Sequence, residues 1–373
     1  MTELYIGLMS GTSMNAVDAA LVDLHGHPKL LHTASRPYPP ELRRRLQALC
    51  EGTRDELESF ARLDTELGHL FAETALAVLH QGGIRPAEVV AIGSHGQTVR
   101  HYPGPEPKSS LQIADPNIIA TVTGITTVAD FRRRDISAGG QGAPLVPAFH
   151  NLLFRQRGRE RAVLNIGGIA NVTILPGDPQ AAVTGFDTGP GNVLMDQWAA
   201  RHLRQPMDRD GRWAASGRID GALLERLLKD RYFAAPPPKS TGTEYFNLHW
   251  LERTLKRHTG RMIRKNVQAT LCELTAAGVV QALREHAPAT REVLVCGGGA
   301  HNLALMFRLQ ALLGEVQLRS TEDYGFPPDW IEAMAFAWLA HETLGGRPGN
   351  LPSVTGATRP VLLGGIYRTA RKG

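Results

Sequence analysis

The chain of 373 residues is long enough to form two domains of ordinary size. Its composition, 42% hydrophobic and 21% charged, excludes a disordered or fibrous protein, and its formal net charge of +5 is spread too evenly for a nucleic-acid-binding surface. No run approaches the roughly 18 apolar residues of a membrane helix, no signal-peptide pattern follows Met1, and the three cysteines form no CxxC pair, so we expect a cytoplasmic protein without membrane contact or structural zinc.

Strand-like and helix-like segments alternate along the first third of the chain, which is typical of an α/β protein. Residues 5–9 and 19–24 are predicted to be strands around a turn of small polar residues. A capping box at Thr53–Glu56 predicts the start of a helix, which ends at Gly82-Gly83. Further buried strands are predicted at residues 89–93 and 126–129.

The rest of the chain continues the alternation. Asn266 is predicted to cap a helix whose last turn holds Arg284 and His286, with Pro288 beyond it. The other predicted elements are strands at residues 162–166, 171–175 and 293–296 and a helix at residues 329–344.

Two segments share one local pattern. Residues 5–13 and 164–172 each run from a strand through a turn of small residues into a second strand. Rossmann and P-loop phosphate sites instead lead from a strand into a helix, and neither GxGxxG nor GxxxxGK[ST] occurs. A tight hairpin can direct backbone amides at a phosphate, so Gly11-Thr12-Ser13 and Gly167-Gly168 are candidate nucleotide sites. The alternative is that each is only a turn.

Two glycine-rich segments carry further candidates. Asp187 lies in residues 185–192 and is either a turn former or a rigidly held general base; the segment alone favours neither. Gly297–Gly299 follows a predicted strand, where it either leaves room for a flat group such as adenine or permits close packing.

Polar residues end two of the predicted strands. His95 and Gln97 follow one, and Asp130 and Arg132 follow the other. Substrate contacts in α/β folds gather at such strand ends. We interpret His95 as a structural or substrate-orienting residue, because no second His or Cys stands at metal-ligand spacing.

Six motifs, taken in order, resemble those of one family. They lie at residues 7–13, 94–98, 139–145, 165–171, 186–192 and 327–333. Together they resemble the anhydro-N-acetylmuramic acid kinases over nearly the whole chain. The resemblance implies the fold of sugar kinases, actin and heat-shock chaperones, with two RNase H-like domains and a nucleotide cleft between them. We expect domains at residues 1–131 and 132–357, with residues from about 358 to 373 returning to the first domain, and a homodimer.

The resemblance also implies a reaction of peptidoglycan recycling, in which ATP, water and 1,6-anhydro-N-acetylmuramic acid give ADP and N-acetylmuramic acid 6-phosphate. Asp187 matches the family's base, which deprotonates the water. Asp130, Arg132 and Glu332 would bind the sugar, with Arg132 at its lactyl carboxylate and with His95 and Gln97 nearby. ATP and Mg²⁺ would be bound by Gly11, Thr12, Ser13, Met14, Asn15, Ala16, Val17, Asp18, Gly167, Gly168, Asn171, Gly297, Gly298, Gly299 and Asn302.

Four positions depart from the family pattern, and one of them is Asn266, which replaces an aspartate. Asn15 replaces an aspartate, which predicts weaker binding of Mg²⁺ near that position. Ala16 replaces a glycine and is expected to crowd the turn or demand unusual backbone angles. Thr243 replaces an arginine. A catalytically impaired sugar- or nucleotide-binding relative is therefore one alternative.

Two further alternatives rest on other features. A glycoside hydrolase would use Asp187 and Glu332 as its carboxylate pair, and a chaperone-like ATPase would share the fold alone. Because Asp18 and Asp187 are both present, we favour the active kinase.

Overall fold

In the computed structural model, the described residues are 2–11, 14–52, 55–104, 107–260 and 262–369. The strands are β1 (Leu4–Ser10), β2 (Ala16–Asp23), β3 (Lys29–Pro37), β4 (Val89–Tyr102), β5 (Ser109–Ile113), β6 (Thr127–Ala129), β7 (Arg161–Ile166), β8 (Ile169–Leu175), β9 (Thr184–Pro190), β10 (Glu292–Cys296), β11 (Gln317–Ser320) and β12 (Gly365–Tyr367).

The helices follow the same order along the chain. They are α1 (Pro40–Glu51), α2 (Glu56–Gly82), α3 (Pro116–Thr123), α4 (Phe131–Ser137), α5 (Pro147–Phe154), α6 (Val193–Leu203), α7 (Arg212–Ala215), α8 (Gly221–Leu228), α9 (Leu248–Leu255), α10 (Arg264–His286), α11 (Leu303–Leu313), α12 (Ile331–Leu344) and α13 (Pro352–Thr355). Along the described ranges, no helix combines the length and the apolar content needed to cross a bilayer.

The chain divides into two compact units. Unit 1 comprises Met1–Phe149 and Trp330–Gly373, and unit 2 comprises His150–Asp329. These limits differ from the sequence-based ones near residues 131 and 357, because α4 packs against β5, and α12 against β1 and β4, within unit 1. The extents of the functional domains stay a prediction.

Unit 1 is built on a sheet with the order β12-β6-β4-β1-β2-β3, and β5 pairs with β4. Strands β1, β2 and β3 form an antiparallel meander, while β4 and β6 add to β1 in parallel. The C-terminal strand β12 pairs antiparallel with β6. Every residue of β1 is buried, as expected of a central strand covered on both faces.

Unit 2 repeats this topology. Its sheet has the order β11-β10-β7-β8-β9, in which β7, β8 and β9 form the antiparallel meander and β10 and β11 are parallel to β7. A meander followed by two parallel strands in each unit is the RNase H-like arrangement, so the predicted fold class is confirmed. The duplicated strand–turn–strand pattern corresponds to the β1–β2 and β7–β8 hairpins.

Helix ends test the local predictions. Gly83 has a φ of 64° and ends α2 in the left-handed conformation, as predicted. The capping box at its start involves Thr53, which lies outside the described residues. The prediction for Asn266 is wrong: it lies inside α10, whose N-cap is Ile263, and its Oδ1 accepts the Arg218 N–H at 3.0 Å. That amide is thus used to hold a neighbouring segment.

Candidate functional site

The β1–β2 hairpin in unit 1 is closed by the Met14 N–H, which donates to the Gly11 carbonyl at 3.2 Å. Met14 is buried and has a φ of 52°, so it takes up the unusual backbone angle of the turn. Ala16 instead begins β2 opposite Pro37, and its φ is not positive, so the expected demand for unusual angles at Ala16 is wrong. Thr12 and Ser13 lie outside the described residues.

The remaining hairpin residues differ in exposure. Asn15 is exposed, and its carbonyl accepts the Tyr38 N–H at 2.9 Å. Val17 is fully buried in the core. Asp18 is half-buried, and its Oδ1 accepts a hydrogen bond from Ser35 Oγ at 2.7 Å. Among the described hairpin residues, Asp18 thus supplies the carboxylate and Asn15 the exposed amide.

A buried network of hydrogen bonds packs against the β1–β2 hairpin. Ser10 Oγ lies 2.8 Å from the Ala16 carbonyl oxygen and 2.9 Å from Gln97 Oε1. Tyr38 donates to the same two side chains, and burial raises the pKa of its phenol, so it stays protonated. Gln97 Nε2 donates to the Gly11 carbonyl at 3.3 Å. The fully buried Gln97 therefore lies beneath the hairpin and not at an exposed sugar contact.

His95 and Arg132 form one constellation in unit 1. His95 Nδ1 lies 2.8 Å from the Gly96 carbonyl oxygen, to which it donates, so Nε2 is the acceptor. Arg132 donates to that Nε2 from Nε at 3.0 Å and from Nη2 at 2.9 Å. Burial, and secondarily the charge of Arg132, lowers the pKa of His95 well below its usual value. A neutral His95 thus orients the guanidinium without neutralising it.

Two other predicted sugar contacts lie at the edges of this constellation. Asp130 links β6 to α4, has a φ of 61°, and accepts the Arg133 Nε–H at 2.8 Å. Glu332 lies in the first turn of α12, one turn before Phe336. The Phe336 ring packs against His95 with centroids 4.7 Å apart, so the N-terminal half of α12 lies beside the middle of β4.

The hairpin of unit 2 is tied to the helix that follows β9. The Gly167 carbonyl accepts the Asn192 N–H at 2.9 Å, and the Gly168 carbonyl accepts the Gly191 N–H at 2.8 Å. A Cβ on Gly191 would lie 2.4 Å from the Gly167 carbonyl oxygen, which explains why residue 191 is glycine. The turn and the start of α6 therefore hold each other in place.

Asp187 lies within β9 and not in a turn. It is directly opposite Asn171 on β8, which is opposite Asn165 on β7. Directly opposed residues of antiparallel strands share one face of the sheet, so the three side chains form a polar row.

A neighbouring segment fixes the position of Asp187. Its Oδ2 accepts the Thr241 N–H at 2.9 Å, and its own N–H donates to the Lys239 carbonyl at 3.1 Å. Tyr232 Oη donates to the Asp187 carbonyl at 2.8 Å. The half-buried carboxylate is thus rigidly oriented, which favours the general-base interpretation over a turn former.

The glycine run after β10 has two roles. A Cβ on Gly297 would lie 2.4 Å from Asn165 Oδ1, and one on Gly299 would lie 2.3 Å from Ile166 Cγ2, so close packing explains both. Gly298 is exposed, and a Cβ on it would have no described atom within 4 Å, which leaves room above it. Asn302 caps α11 by accepting the Leu305 N–H at 3.1 Å.

Sequence reasoning missed three contributors. Tyr38 lies in no recognisable motif and reaches Ser10 only through the fold. Thr241 acts through its backbone N–H, which any residue except proline supplies. Asn165 lies within a recognised motif. Its pairing with Asn171 across the β7–β8 hairpin could have been predicted from their spacing around the turn. Among the described residues, no group of three or more His, Cys, Asp or Glu side chains is placed to hold a metal ion.

Several known proteins match the chain over most of its length. A model of the anhydro-N-acetylmuramic acid kinase family matches residues 3–369. Anhydro-N-acetylmuramic acid kinases from Coxiella burnetii (strain Dugway 5J108-111) and Xanthomonas axonopodis pv. citri are 50% and 51% identical to the chain; each alignment covers 98% of this chain and 97% and 98% of the relative. A ROK family glucokinase from Streptomyces griseus is a structural match with a TM-score of 0.42 at 13% identity, covering 91% of this chain and 99% of the other.

Proposed function

Because the chain belongs to the anhydro-N-acetylmuramic acid kinase family, we propose that it converts 1,6-anhydro-N-acetylmuramic acid, with ATP and water, into N-acetylmuramic acid 6-phosphate and ADP. Water attacks the anomeric carbon and its proton passes to the base, the bond from that carbon to the bridging oxygen breaks, and the released 6-oxygen attacks the γ-phosphorus. The bond from the γ-phosphorus to the β,γ-bridging oxygen then breaks, and ADP leaves.

Asp187 is the base in this proposal, and its fixed orientation is the observation that carries it. The Thr241 N–H on Oδ2 and the Lys239 carbonyl on its backbone N–H hold the carboxylate in one position. A general base must be held within hydrogen-bonding distance of the proton that it accepts, and such a group is worth about 10²–10⁴ in rate.

Arg132 is the proposed partner of the sugar's carboxylate. A guanidinium presents donors in a planar fork that matches two carboxylate oxygens. His95 and the Gly142 carbonyl, which accepts from Arg132 Nη1 at 2.8 Å, fix the plane of the fork and are both neutral. Asp130 and Glu332 would accept hydrogen bonds from sugar hydroxyls in the same unit.

The nucleotide is assigned to the glycines that the packing does not explain. Neither Gly11 nor Gly298 has a positive φ, and a Cβ placed on either would have no described atom within 4 Å. A backbone without side chains leaves room for a phosphate or an adenine to approach. Gly167, Gly168 and Asn171 supply the second hairpin of the proposed nucleotide site.

The residues present fit Mg²⁺ bound mainly through nucleotide phosphates and water, since this cation usually takes only one or two protein carboxylates. Asp18 and the exposed Asn15 are the side chains that would lie near it. When bound, the ion neutralises charge on the phosphates. Asn15 carries no charge, so the proposal includes weaker retention of the ion than an aspartate would give.

The test is a coupled product assay. Purified protein with Mg²⁺, ATP and the anhydro sugar is expected to form ADP and sugar phosphate in equal amounts, with neither product forming when the sugar is omitted. Asp187→Asn should abolish turnover, whereas Asp323→Asn, at an exposed position of the same unit, should not. Ring opening without ATP would instead identify a glycoside hydrolase, and sugar binding without turnover would identify an impaired relative.

The family match supports the active kinase, and neither the comparisons nor the structure favours the impaired alternative. The proposal extends to a homodimer, which the resemblance implies, and to the cytoplasm, because the three cysteines form no CxxC pair and suit a reducing compartment. Light scattering on the purified protein tests the dimer: a mass of one chain at assay concentrations would contradict it.

A further inference from the structure

Asp135 in α4 is a fully buried carboxylate that the proposed chemistry does not use. Its Oδ2 accepts the Gly142 N–H at 2.8 Å. Its Oδ1 accepts a hydrogen bond from Asn350 Nδ2 at 2.6 Å and one from Thr355 Oγ1 at 2.8 Å. A buried charge is costly unless hydrogen bonds satisfy it, so these donors make the carboxylate tolerable and hold it in place.

The neighbours of Asp135 donate hydrogen bonds to both of its carboxylate oxygens, so both positions must hold an acceptor. A 180° flip of the Asn350 side-chain amide would lose a hydrogen bond, because Asn350 Oδ1 accepts the Val361 N–H at 2.7 Å. The Gly142 N–H is a backbone donor and has no alternative role. An asparagine at position 135 would therefore place its NH₂ group against another donor, which is either the Gly142 N–H or the Asn350 NH₂ group.

The loop after α4 is shaped around this carboxylate. A Cβ on Gly140 would lie 2.2 Å from Asp135 Oδ2, and the Gly140 N–H donates to the Asp135 carbonyl at 3.0 Å. Gly142 has a φ of 73°, which a side chain would disfavour. The glycines of this motif thus let the loop wrap closely around Asp135.

Gly142 connects the buried carboxylate to the proposed sugar site. Its N–H is bound by Asp135, and its carbonyl accepts from Arg132 Nη1 at 2.8 Å. We infer that Asp135 is a positioning residue: by fixing Gly142 it aims the Arg132 guanidinium at the carboxylate of the sugar. The inference rests on the proposed function, in which Arg132 binds that carboxylate.

The first test is Asp135→Asn, which keeps the size of the side chain. We expect the KM for the anhydro sugar to rise about tenfold, because the misplaced Arg132 loses part of a charge-assisted hydrogen bond, while the KM for ATP and kcat stay within about twofold. Thr355→Val is the matched control, since it removes a donor to Oδ1 and leaves the Gly142 contact intact. Both variants should lower the melting temperature, but only Asp135→Asn should raise the sugar KM.

A double mutant shows whether the effect passes through Arg132. Arg132→Ala alone should raise the sugar KM, and adding Asp135→Asn should raise it no further. A further rise, or an equal rise in Thr355→Val, would overturn the inference. If Asp135→Asn does not fold, Gly140→Ala serves instead, because its methyl group displaces the same carboxylate.

The outcomes separate the inference from the proposed function. A raised sugar KM in Arg132→Ala with an unchanged one in Asp135→Asn overturns the inference alone. An unchanged sugar KM in Arg132→Ala overturns the proposed role of Arg132 and the inference with it. Lack of turnover in the wild-type protein overturns the proposed function itself.

Discussion

Gly7 and Gly93 are direct neighbours on the parallel strands β1 and β4, and both lie against the backbone of α12. A Cβ on Gly7 would lie 1.7 Å from the Ala333 carbonyl oxygen, and one on Gly93 would lie 1.9 Å from that of Phe336. The pair thus allows the helix to approach the sheet at backbone distance. This approach sets the position of the first turn of α12, which carries Glu332.

Gly7→Ala should therefore destabilise unit 1 strongly. The added methyl group meets backbone and not a flexible side chain, so we expect a loss of about 3 kcal/mol or more in the free energy of unfolding. Urea denaturation measures this loss. Gly104→Ala is the control, because its added Cβ would have no described atom within 4 Å and its φ is not positive. Equal stabilities of the two variants would contradict the close approach of α12.

Thr241→Pro should impair the proposed base without removing it. Proline has no N–H, so Asp187 Oδ2 loses the donor at 2.9 Å that orients it. We expect kcat to fall about tenfold, because a misplaced base transfers its proton less effectively. Thr241→Ala keeps the N–H and should retain nearly full activity. Similar losses of kcat in both variants would show that the threonine side chain matters and the amide does not.

Features set by local chemistry were predictable from the sequence. Gly83 ends α2 because glycine tolerates the left-handed conformation, and Arg284 and His286 stand in the last turn of α10 as predicted. The two hairpins were predictable because each pattern of small residues lies within about ten residues of chain. Their repetition also predicted the duplicated fold.

Features set by distant segments were not predictable. Asp187 lies in a run of glycine and proline that is typical of a loop, yet Asn171 and Lys239 pair with it and make the run a strand. Asn266 has the residue type of a helix cap but binds the Arg218 N–H. Gln97 is predicted to follow a strand, as a substrate contact would, but β4 continues to Tyr102 and the Gln97 side chain donates to the Gly11 carbonyl.

His150 should make the stability of the protein depend on pH. It is buried in unit 2, its Nδ1 lies 2.9 Å from Thr173 Oγ1, and burial lowers its pKa from 6.5 to about 3. Between these values the unfolded chain binds a proton that the folded protein does not, so stability falls as the pH decreases, by about 1.4 kcal/mol per pH unit. Urea denaturation at about pH 7 and about pH 5 should show a smaller fall for His150→Gln. Equal falls would contradict the lowered pKa.

Asp196 should have the opposite pH dependence. Burial, and secondarily the charge of Asp208, raises its pKa from 3.8 to about 7. The folded protein therefore holds this proton more tightly than the unfolded chain does, so the stability that it contributes is complete below about pH 3.8 and lost as the pH rises through about 7.

Replacing Asp196 by Asn removes a carboxylate that must ionise in a poorly solvated place above its pKa. At about pH 8 we expect Asp196→Asn to be more stable than the wild-type protein by about 2–4 kcal/mol, and the difference should vanish as the pH approaches about 4. Urea denaturation across this range measures it, with Asp323→Asn, at an exposed position of the same unit, as the control for loss of a carboxylate that is not buried. A destabilised Asp196→Asn at about pH 8 would mean that the ionised carboxylate has a stabilising partner and that burial does not dominate its titration.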